Sequence, residues 1–335
     1  MKALVTGGAG FVGSHLVDAL LAAGWRVTVL DNFASGKRSN LEGASPADRL
    51  EIVEGSVLDP EALDQVMNVD VVFHLAIECV RKSLGEPIEN HETNATGTLM
   101  TLEAARRKKV ARFVYCSSSE VYGDAASGAL DEDKAVCAPT TVYGAAKLAG
   151  ELYALAYWRT YGLPTAVVRP FNAFGPRAHD QGVLAEAIPR FAIRALNGMP
   201  PVIFGDGGQG RDFTYVTDLA EGIRRAAGED RMIGAIINLG WGRLVTIREA
   251  AETVLEQCGR NDMTIEYRPS RPGDIRSLIA GTAKAKALLG YGPTIGFTEG
   301  VRLYLDWFRR RYPDPAKLVE PRIENWAAPA DCPPS

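Results

Sequence analysis

Tyr143 and Lys147 stand four residues apart in Tyr143-Gly144-Ala145-Ala146-Lys147, a spacing that puts both side chains on one face of a helix. A phenol beside an ammonium suits proton removal from an alcohol. Free tyrosine has a pKa of about 10, and a nearby positive charge favours the phenolate and lowers that value. Lys147 could also hydrogen-bond the ribose of a nicotinamide cofactor. Ser118 follows an apolar run at 112–117, and its hydroxyl could hold the reacting hydroxyl for Tyr143. Tyr-x-x-x-Lys alone is a common pair on helix surfaces, so its meaning depends on what else the chain carries.

The strongest partner motif comes first in the chain. A run at 2–6 leads into Thr6-Gly7-Gly8-Ala9-Gly10-Phe11-Val12-Gly13 and then a helical pattern. Gly7, Gly10 and Gly13 permit a tight turn, close approach of backbone to a pyrophosphate, and close packing of helix on strand. The helix start then presents unpaired N–H groups to the phosphates. Asp31 closes the second β-rich run, 18 residues after Gly13. An acidic residue there can take the adenosine ribose hydroxyls and repels a 2′-phosphate, which favours NAD over NADP. Lys37 and Arg38, just beyond, keep NADP open as a lesser alternative.

These residues need a doubly wound α/β sheet to bring them together. Strand patterns fall at 2–6, 26–31, 50–54, 69–74, 112–117 and 165–170, alternating with helical patterns at 13–23, 60–67, 94–108 and 142–161. Several strands are apolar throughout, as expected where helices cover both faces. The expected organisation is a Rossmann-type NAD-binding domain over 1–170. A smaller mixed α/β substrate domain follows over 171–315, with some segments returning to the first, and an extended tail over 316–335. Helices are expected at 182–197, 216–228, 247–258 and 298–311. Trp326 in the proline-rich tail suggests a docking contact.

Composition narrows the function classes. Thirty-seven basic and 41 acidic residues leave a net charge of -4 with the signs interspersed, so neither nucleic acid nor an anionic membrane is an expected partner. No apolar run approaches the ~20 residues of a membrane span, and the chain enters its first strand without a leader pattern. Cys79, Cys116, Cys137, Cys258 and Cys332 are far apart and odd in number, and His15, His74, His91 and His179 lack ligand spacing. Neither a disulfide framework nor a metal site is expected, and the cytoplasm is the expected compartment.

Further motifs carry a resemblance. They are His74-Leu75-Ala76, Asn94-Ala95-Thr96-Gly97-Thr98, Ser117-Ser118-Ser119-Glu120-Val121-Tyr122-Gly123, Arg169-Pro170-Phe171-Asn172-Ala173-Phe174-Gly175-Pro176-Arg177, Arg211-Asp212-Phe213-Thr214-Tyr215-Val216 and Arg271-Pro272-Gly273-Asp274. In this order, with the glycine turn and Tyr143–Lys147, the chain resembles the extended short-chain dehydrogenase/reductases, in their nucleotide-sugar epimerase, dehydratase and decarboxylase branch. The resemblance implies that Tyr143 removes the proton of a sugar C4 hydroxyl while NAD takes the hydride, giving a 4-keto sugar. It places Gly7, Gly10, Phe11, Val12, Gly13, Asp31, Asn32, Asp59, Leu75, Ala76, Asn94, Tyr143 and Lys147 on the cofactor. It places Ser83, Ser118, Asn172, Arg211, Arg271 and Asp274 on the substrate, the arginines on the diphosphate and Asp274 on the nucleotide ribose. A homodimer pairing the helices at 94–108 and 142–161 is also implied, the latter through Leu148, Leu152, Leu155 and Ala156.

The resemblance leaves the second half of the reaction open. Return of the hydride to the other face gives a UDP-sugar 4-epimerase, the first expectation by family frequency. Elimination needs a base, and Glu120 stands where related 4,6-dehydratases carry one, in a triplet that resembles both dehydratases and decarboxylases; it could equally bond backbone amides. The segment 74–83 is one residue shorter than in relatives, so Glu78, Arg81 and Lys82 could bring new contacts or simply be re-registered. His179-Asp180 reads as a solvated substrate loop. A regulatory protein that binds NAD without turnover is the alternative of another class; retention of Ser118, Tyr143 and Lys147 argues against it.

Overall fold

A computed structural model describes residues 1–124, 128–270, 275–319 and 323–324. Its centre is a seven-stranded sheet of β1 (Lys2–Thr6), β2 (Arg26–Asp31), β3 (Leu50–Glu54), β4 (Val71–His74), β5 (Arg112–Cys116), β6 (Thr165–Pro170) and β7 (Ile236–Leu239). The strands pair in the order β7-β6-β5-β4-β1-β2-β3, all parallel. The order reverses beside β1, so the cleft opens at the carboxyl ends of β1 and β4, where ligands bind in such sheets.

Helices cover both faces. On one side α1 (Phe11–Ala22) packs against a helix that comes much later, Val216–Gly228, through Leu16, Leu20, Leu219 and Ile223. On the other, α2 (Pro60–Val66), α3 (Gly97–Arg107) and α4 (Val142–Tyr161) bury Leu63, Leu102, Ala105 and Ala154. Leu16, Leu20 and Leu102 are wholly inaccessible, each contributing about 1.5–3 kcal/mol of burial. Thr141 caps α4 by accepting from Gly144 N at 3.1 Å, and Gly162 ends it in a left-handed conformation.

The chain therefore crosses back after residue 170 to complete the sheet. Val216–Gly228 covers it and β7 extends it beside β6, Ile237 opposite Val168. The remaining segments form a four-stranded mixed sheet (Val245–Thr246, Gly210–Arg211, Ser277–Ala280, Ala129–Leu130) and two short parallel pairs. Helices α5 (Ala187–Leu196), α6 (Ile247–Gln257) and α7 (Phe297–Arg311) pack around them with a second core of Phe174, Phe191, Phe213 and Tyr304.

Several expected bounds differ. The helix expected at 182–197 begins only at Ala187, because Gly182 sits at φ +66° in a single 3-10 turn, Gly182–Leu184. The helix expected at 94–108 opens as a π-turn, Glu92–Thr96, before α3. The fourth strand starts at Val71, since Asp70 turns its carboxylate onto Lys2 N at 2.8 Å. Pro87–His91 forms a short helix the sequence reading did not contain. Among the described residues, no helix is long and apolar enough to cross a membrane, and no His, Cys, Asp and Glu gather as a metal site. Trp326, Cys332 and most of the expected tail lie outside the described residues.

Candidate active site

The strand ends and the later segments enclose a cleft of about 440 Å³, within the size range of small-molecule sites. Gly7, Gly10, Phe11, Val12, Gly13, Asp31, Asn32, Leu75 and Ala76 line one part of it. Ser118, Glu120, Tyr143, Asn172 and Arg211 line another. The glycine turn is built for close approach. A Cβ on Gly13 would lie 2.1 Å from Gly7 O, and one on Gly7 would meet the Ala76 backbone at 2.8 Å, with Gly7 itself at φ +69°. Nothing but glycine fits there, and α1 starts at the turn with its N–H groups toward the cleft.

Asp31 ends β2 with its carboxylate nearly buried, accepting from Ala9 N and Phe33 N at 2.9 Å each. Burial raises its pKa above the usual range against the pull of those two amides. The basic residues that kept NADP open are engaged elsewhere. Lys37 pairs with Asp180 at 3.3 Å; Arg38 pairs with Glu54 at 2.5 Å and stacks on Phe33. Glycine cradle, buried acid and occupied cations together fit a dinucleotide without a 2′-phosphate.

Tyr143 and Lys147 rise from the first turns of α4, as their spacing requires, and both are buried. Ser118 caps the 3-10 turn Ser119–Tyr122: its hydroxyl accepts from Glu120 N at 3.2 Å and lies near enough to Tyr143 to favour its phenolate. The expected lowering of the Tyr143 pKa is absent from the protein by itself. Burial raises it well above 10, the Ser118 hydroxyl opposes that, and the Glu120 carboxylate raises it further. The physical reason is the burial of the phenol, and Lys147 faces another ring. Its ammonium sits 4.5 Å from the centre of the Tyr115 ring, and burial lowers its own pKa to about 8. Lys147 is 1% exposed and forms part of the floor rather than the lining.

Beneath these residues runs a polar network that the sequence reading missed. Arg169 donates to Glu151 and to the Tyr122 hydroxyl, Ser117 Oγ donates to Glu151 at 2.5 Å, and Tyr122 donates to Asn238 at 2.8 Å. The segment Ser117–Tyr122, which holds Ser118 and Glu120, is thereby fixed to α4, β6 and β7. A glutamate on a helix reads as a solvent residue in sequence. Only the neighbouring strand reveals its partner.

The loop after β4 forms the opposite wall, with Glu78, Cys79, Val80 and Arg81 facing the cleft. Asn94 does not line the cleft. It is wholly buried, and its side chain accepts from Glu78 N at 3.2 Å and donates to Glu78 O at 3.0 Å. Asn90, also missed, donates to Glu78 O and Cys79 O and accepts from Asn94. The π-turn lets both amides reach the same stretch of loop, a use of such turns near functional sites. Ser83 is buried and turns its hydroxyl to Val80 O at 2.7 Å, away from the cleft. Asp59 is exposed outside the cleft, where its carboxylate caps α2 through Glu61 N. Lys82 pairs with Glu78, Glu86 and Glu89. Glu78 and Arg81 line the cleft.

His15 and His74 serve structure. His15 bonds Pro176 O and His74 bridges Thr6 and Thr98; burial lowers their pKa values to about 4 and about 3. His179, expected in a solvated loop, pairs with Glu186 at 3.1 Å in the cleft wall. Arg211 bonds Gly210 O and Ile275 O beside the cleft. Arg271 and Asp274 lie outside the described residues. The far end of the cleft, lined by Arg190, Arg194, Phe204 and Gln209, had no motif to mark it.

Sheet order, glycine cradle and acid-ended second strand define a dinucleotide-binding enzyme fold. Residues 3–240 match the model of the NAD dependent epimerase/dehydratase family, and the chain belongs to that family. It is an enzyme of that family, with NAD as its cofactor. The chain is 36% identical to a dTDP-glucose 4,6-dehydratase of Streptomyces niveus, covering 99% of each chain. It is 35% identical to a UDP-glucose 4-epimerase of Mycolicibacterium smegmatis, over 93% of this chain and 99% of the other. Among solved structures, the UDP-glucose 4-epimerase of Thermotoga maritima with UDP-glucose superposes with a TM-score of 0.88 at 34% identity. That match covers 93% of this chain and 99% of the other.

Proposed function

We propose that the chain is a UDP-sugar 4-epimerase working through a 4-keto sugar. The observation that carries this reading is the Tyr143–Ser118 pair of hydroxyls facing the same cleft as the glycine turn, with Lys147 under them. Ser118 holds the sugar C4 hydroxyl against Tyr143, and Tyr143 Oη takes its proton. When bound, NAD supplies the hydride acceptor at C4 and a positive charge that draws Tyr143 toward phenolate. The ketone then turns within the cleft, and Tyr143 returns the proton to the oxygen as hydride re-enters from the other face. Asn172 and Arg211 hold the sugar and diphosphate, Arg211 through its guanidinium, and the Arg190–Phe204 end receives the nucleotide.

A second reading has its own observation. Glu120 lines the cleft close enough to raise the Tyr143 pKa. A carboxylate there can take the C5 proton of the 4-ketone and pass it to the departing C6 hydroxyl, which leaves as water. Return of the hydride to C6 and of a proton to C5 then completes the 4,6-dehydratase reaction. Loss of carbon dioxide from a uronic acid is the related outcome.

The test is incubation with UDP-glucose, UDP-glucuronate, their N-acetyl analogues and dTDP-glucose, with products read by mass spectrometry and NMR. A product of unchanged mass inverted at C4 is expected. A product lighter by water or carbon dioxide assigns the second reading, and so does a Glu120→Gln variant without turnover. NAD binding with no turnover of any sugar would favour a regulatory role. The reading includes a cytoplasmic location and a homodimer, the latter supported by exposed Leu152 (59%) and Ala156 on α4, whereas Leu148 and Leu155 of the expected stripe are partly buried. A solution mass of one chain would exclude that assembly.

A further inference from the structure

We propose that Arg81 is a substrate-binding residue that meets anionic oxygens of the nucleotide sugar, an inference that rests on the nucleotide-sugar reading of the cleft. Arg81 lies on the loop after β4 and faces the cleft. Its Nε donates to Val183 O and its Nη2 to Leu184 O, both at 2.5 Å, across to the opposite wall. Both acceptors are neutral carbonyls.

The neighbouring cations are arranged differently. Lys82 is surrounded by Glu78, Glu86 and Glu89, Lys37 by Asp180, and Arg177 by Asp18 at 2.7 Å. Among the described residues no carboxylate pairs with Arg81. Its charge therefore faces the cleft uncompensated, and Nε with Nη2 forms the side-on fork that fits two oxygens of a phosphate or carboxylate. An anion adds the attraction of a full negative charge to the two bonds that the neutral carbonyls accept, in a geometry the fork matches. An anion in the cleft thus draws the guanidinium off Val183 and Leu184.

The base of the side chain is held for this exchange. Asn90 and Asn94 fix Glu78 and Cys79 through backbone bonds, and Lys82 is tied by its ion pairs. Arg81 can change rotamer without moving the loop. The diphosphate and the carboxylate of a uronic sugar present the same chemistry to it, and the experiment separates them.

Binding of UDP, dTDP, UDP-glucose and UDP-glucuronate is measured by calorimetry on the NAD-loaded chain, for wild type, Arg81→Gln and Arg81→Lys. Arg81→Gln is expected to weaken binding about ten- to a hundredfold, with Arg81→Lys between the two and NAD affinity unchanged. Equal weakening for all ligands assigns the diphosphate; weakening confined to UDP-glucuronate assigns the carboxylate. Wild-type affinity in Arg81→Gln for every ligand would overturn the proposal. So would equal losses in both variants accompanied by weaker NAD binding, which mark a wall staple. A wild type that binds NAD but none of the four ligands would instead sink the nucleotide-sugar reading.

Discussion

Arg169 and Glu151 form a buried ion pair directly under the proposed catalytic segment, Nε to Oε1 at 2.8 Å and Nη2 to Oε2 at 2.6 Å. Glu151 reaches it from α4, two turns after Tyr143, and Arg169 from β6. The pair thus fixes the helix that carries Tyr143 and Lys147 against the strand that leads to Asn172. Ser117 and Tyr122, hydrogen-bonded to Glu151 and Arg169, extend the same anchor to Ser118 and Glu120.

Breaking that pair from one side should be severe. Glu151→Ala leaves a buried guanidinium without its partner and is expected to cost about 3–5 kcal/mol in urea unfolding. Replacing both, Glu151→Leu with Arg169→Met, should recover much of that stability. Turnover of the double variant should still fall, because Ser117 and Tyr122 lose their anchor. Full activity in the double variant would show that the network does not position the site.

Lys147 gives a pH signature. Its folded pKa of about 8 lies below the usual 10.5 because of burial, so between these values the unfolded chain holds a proton that the native chain has released. Stability therefore rises with pH across about 8 to 10.5 on account of this group, and below pH 8 its burial is a standing cost. Lys147→Met should be more stable than wild type at pH 7, by on the order of 3 kcal/mol, while losing activity. The difference should shrink as pH rises toward 10.5. A stability difference that does not change with pH would refute this account of the lysine.

The main architecture was readable because its signals are local. The strands at 2–6, 26–31, 50–54 and 165–170 are short β-rich runs, and α4 is bracketed by Thr141 and Gly162. The glycine turn and Asp31 were readable because their spacing is a backbone requirement. What escaped depends on distant partners. Glu151 is buried only because Arg169 sits on β6, and β7 exists as a sheet strand only beside Val167–Pro170. Asn90 is an ordinary polar helix residue in sequence, and nothing nearby announces the loop carbonyls it serves. The pair Tyr143–Lys147 was readable as a pair, while the expected effect of one on the other was not. Burial outweighs the ammonium, and Lys147 rests on Tyr115.

Asn90→Leu tests the clamp on the loop after β4. The carbonyls of Glu78 and Cys79 each lose a donor, which should cost about 1–3 kcal/mol. Displacement of the loop should lower kcat/KM by roughly a hundredfold, the scale expected for a misplacement of about 1 Å. Asn90→Asp should not rescue, since a carboxylate cannot donate to carbonyls. Unchanged kinetics in Asn90→Leu would mean that Asn94 alone sets the loop.

Cofactor choice should follow Asp31. Wild type is expected to bind NAD in strong preference to NADP in a fluorescence titration. Asp31→Ser should narrow that preference by removing the buried acid while weakening NAD as well, because Ala9 N and Phe33 N lose their acceptor. Equal affinity of wild type for both cofactors would remove Asp31 from this role.

The central claim is that the Tyr143 hydroxyl carries the proton of the oxidised sugar, and Tyr143→Phe tests it with the removal of one oxygen atom. With whichever nucleotide sugar the wild type converts, the variant should still bind NAD and sugar, while kcat falls by about 100- to 10,000-fold. Turnover at the wild-type rate would contradict the account.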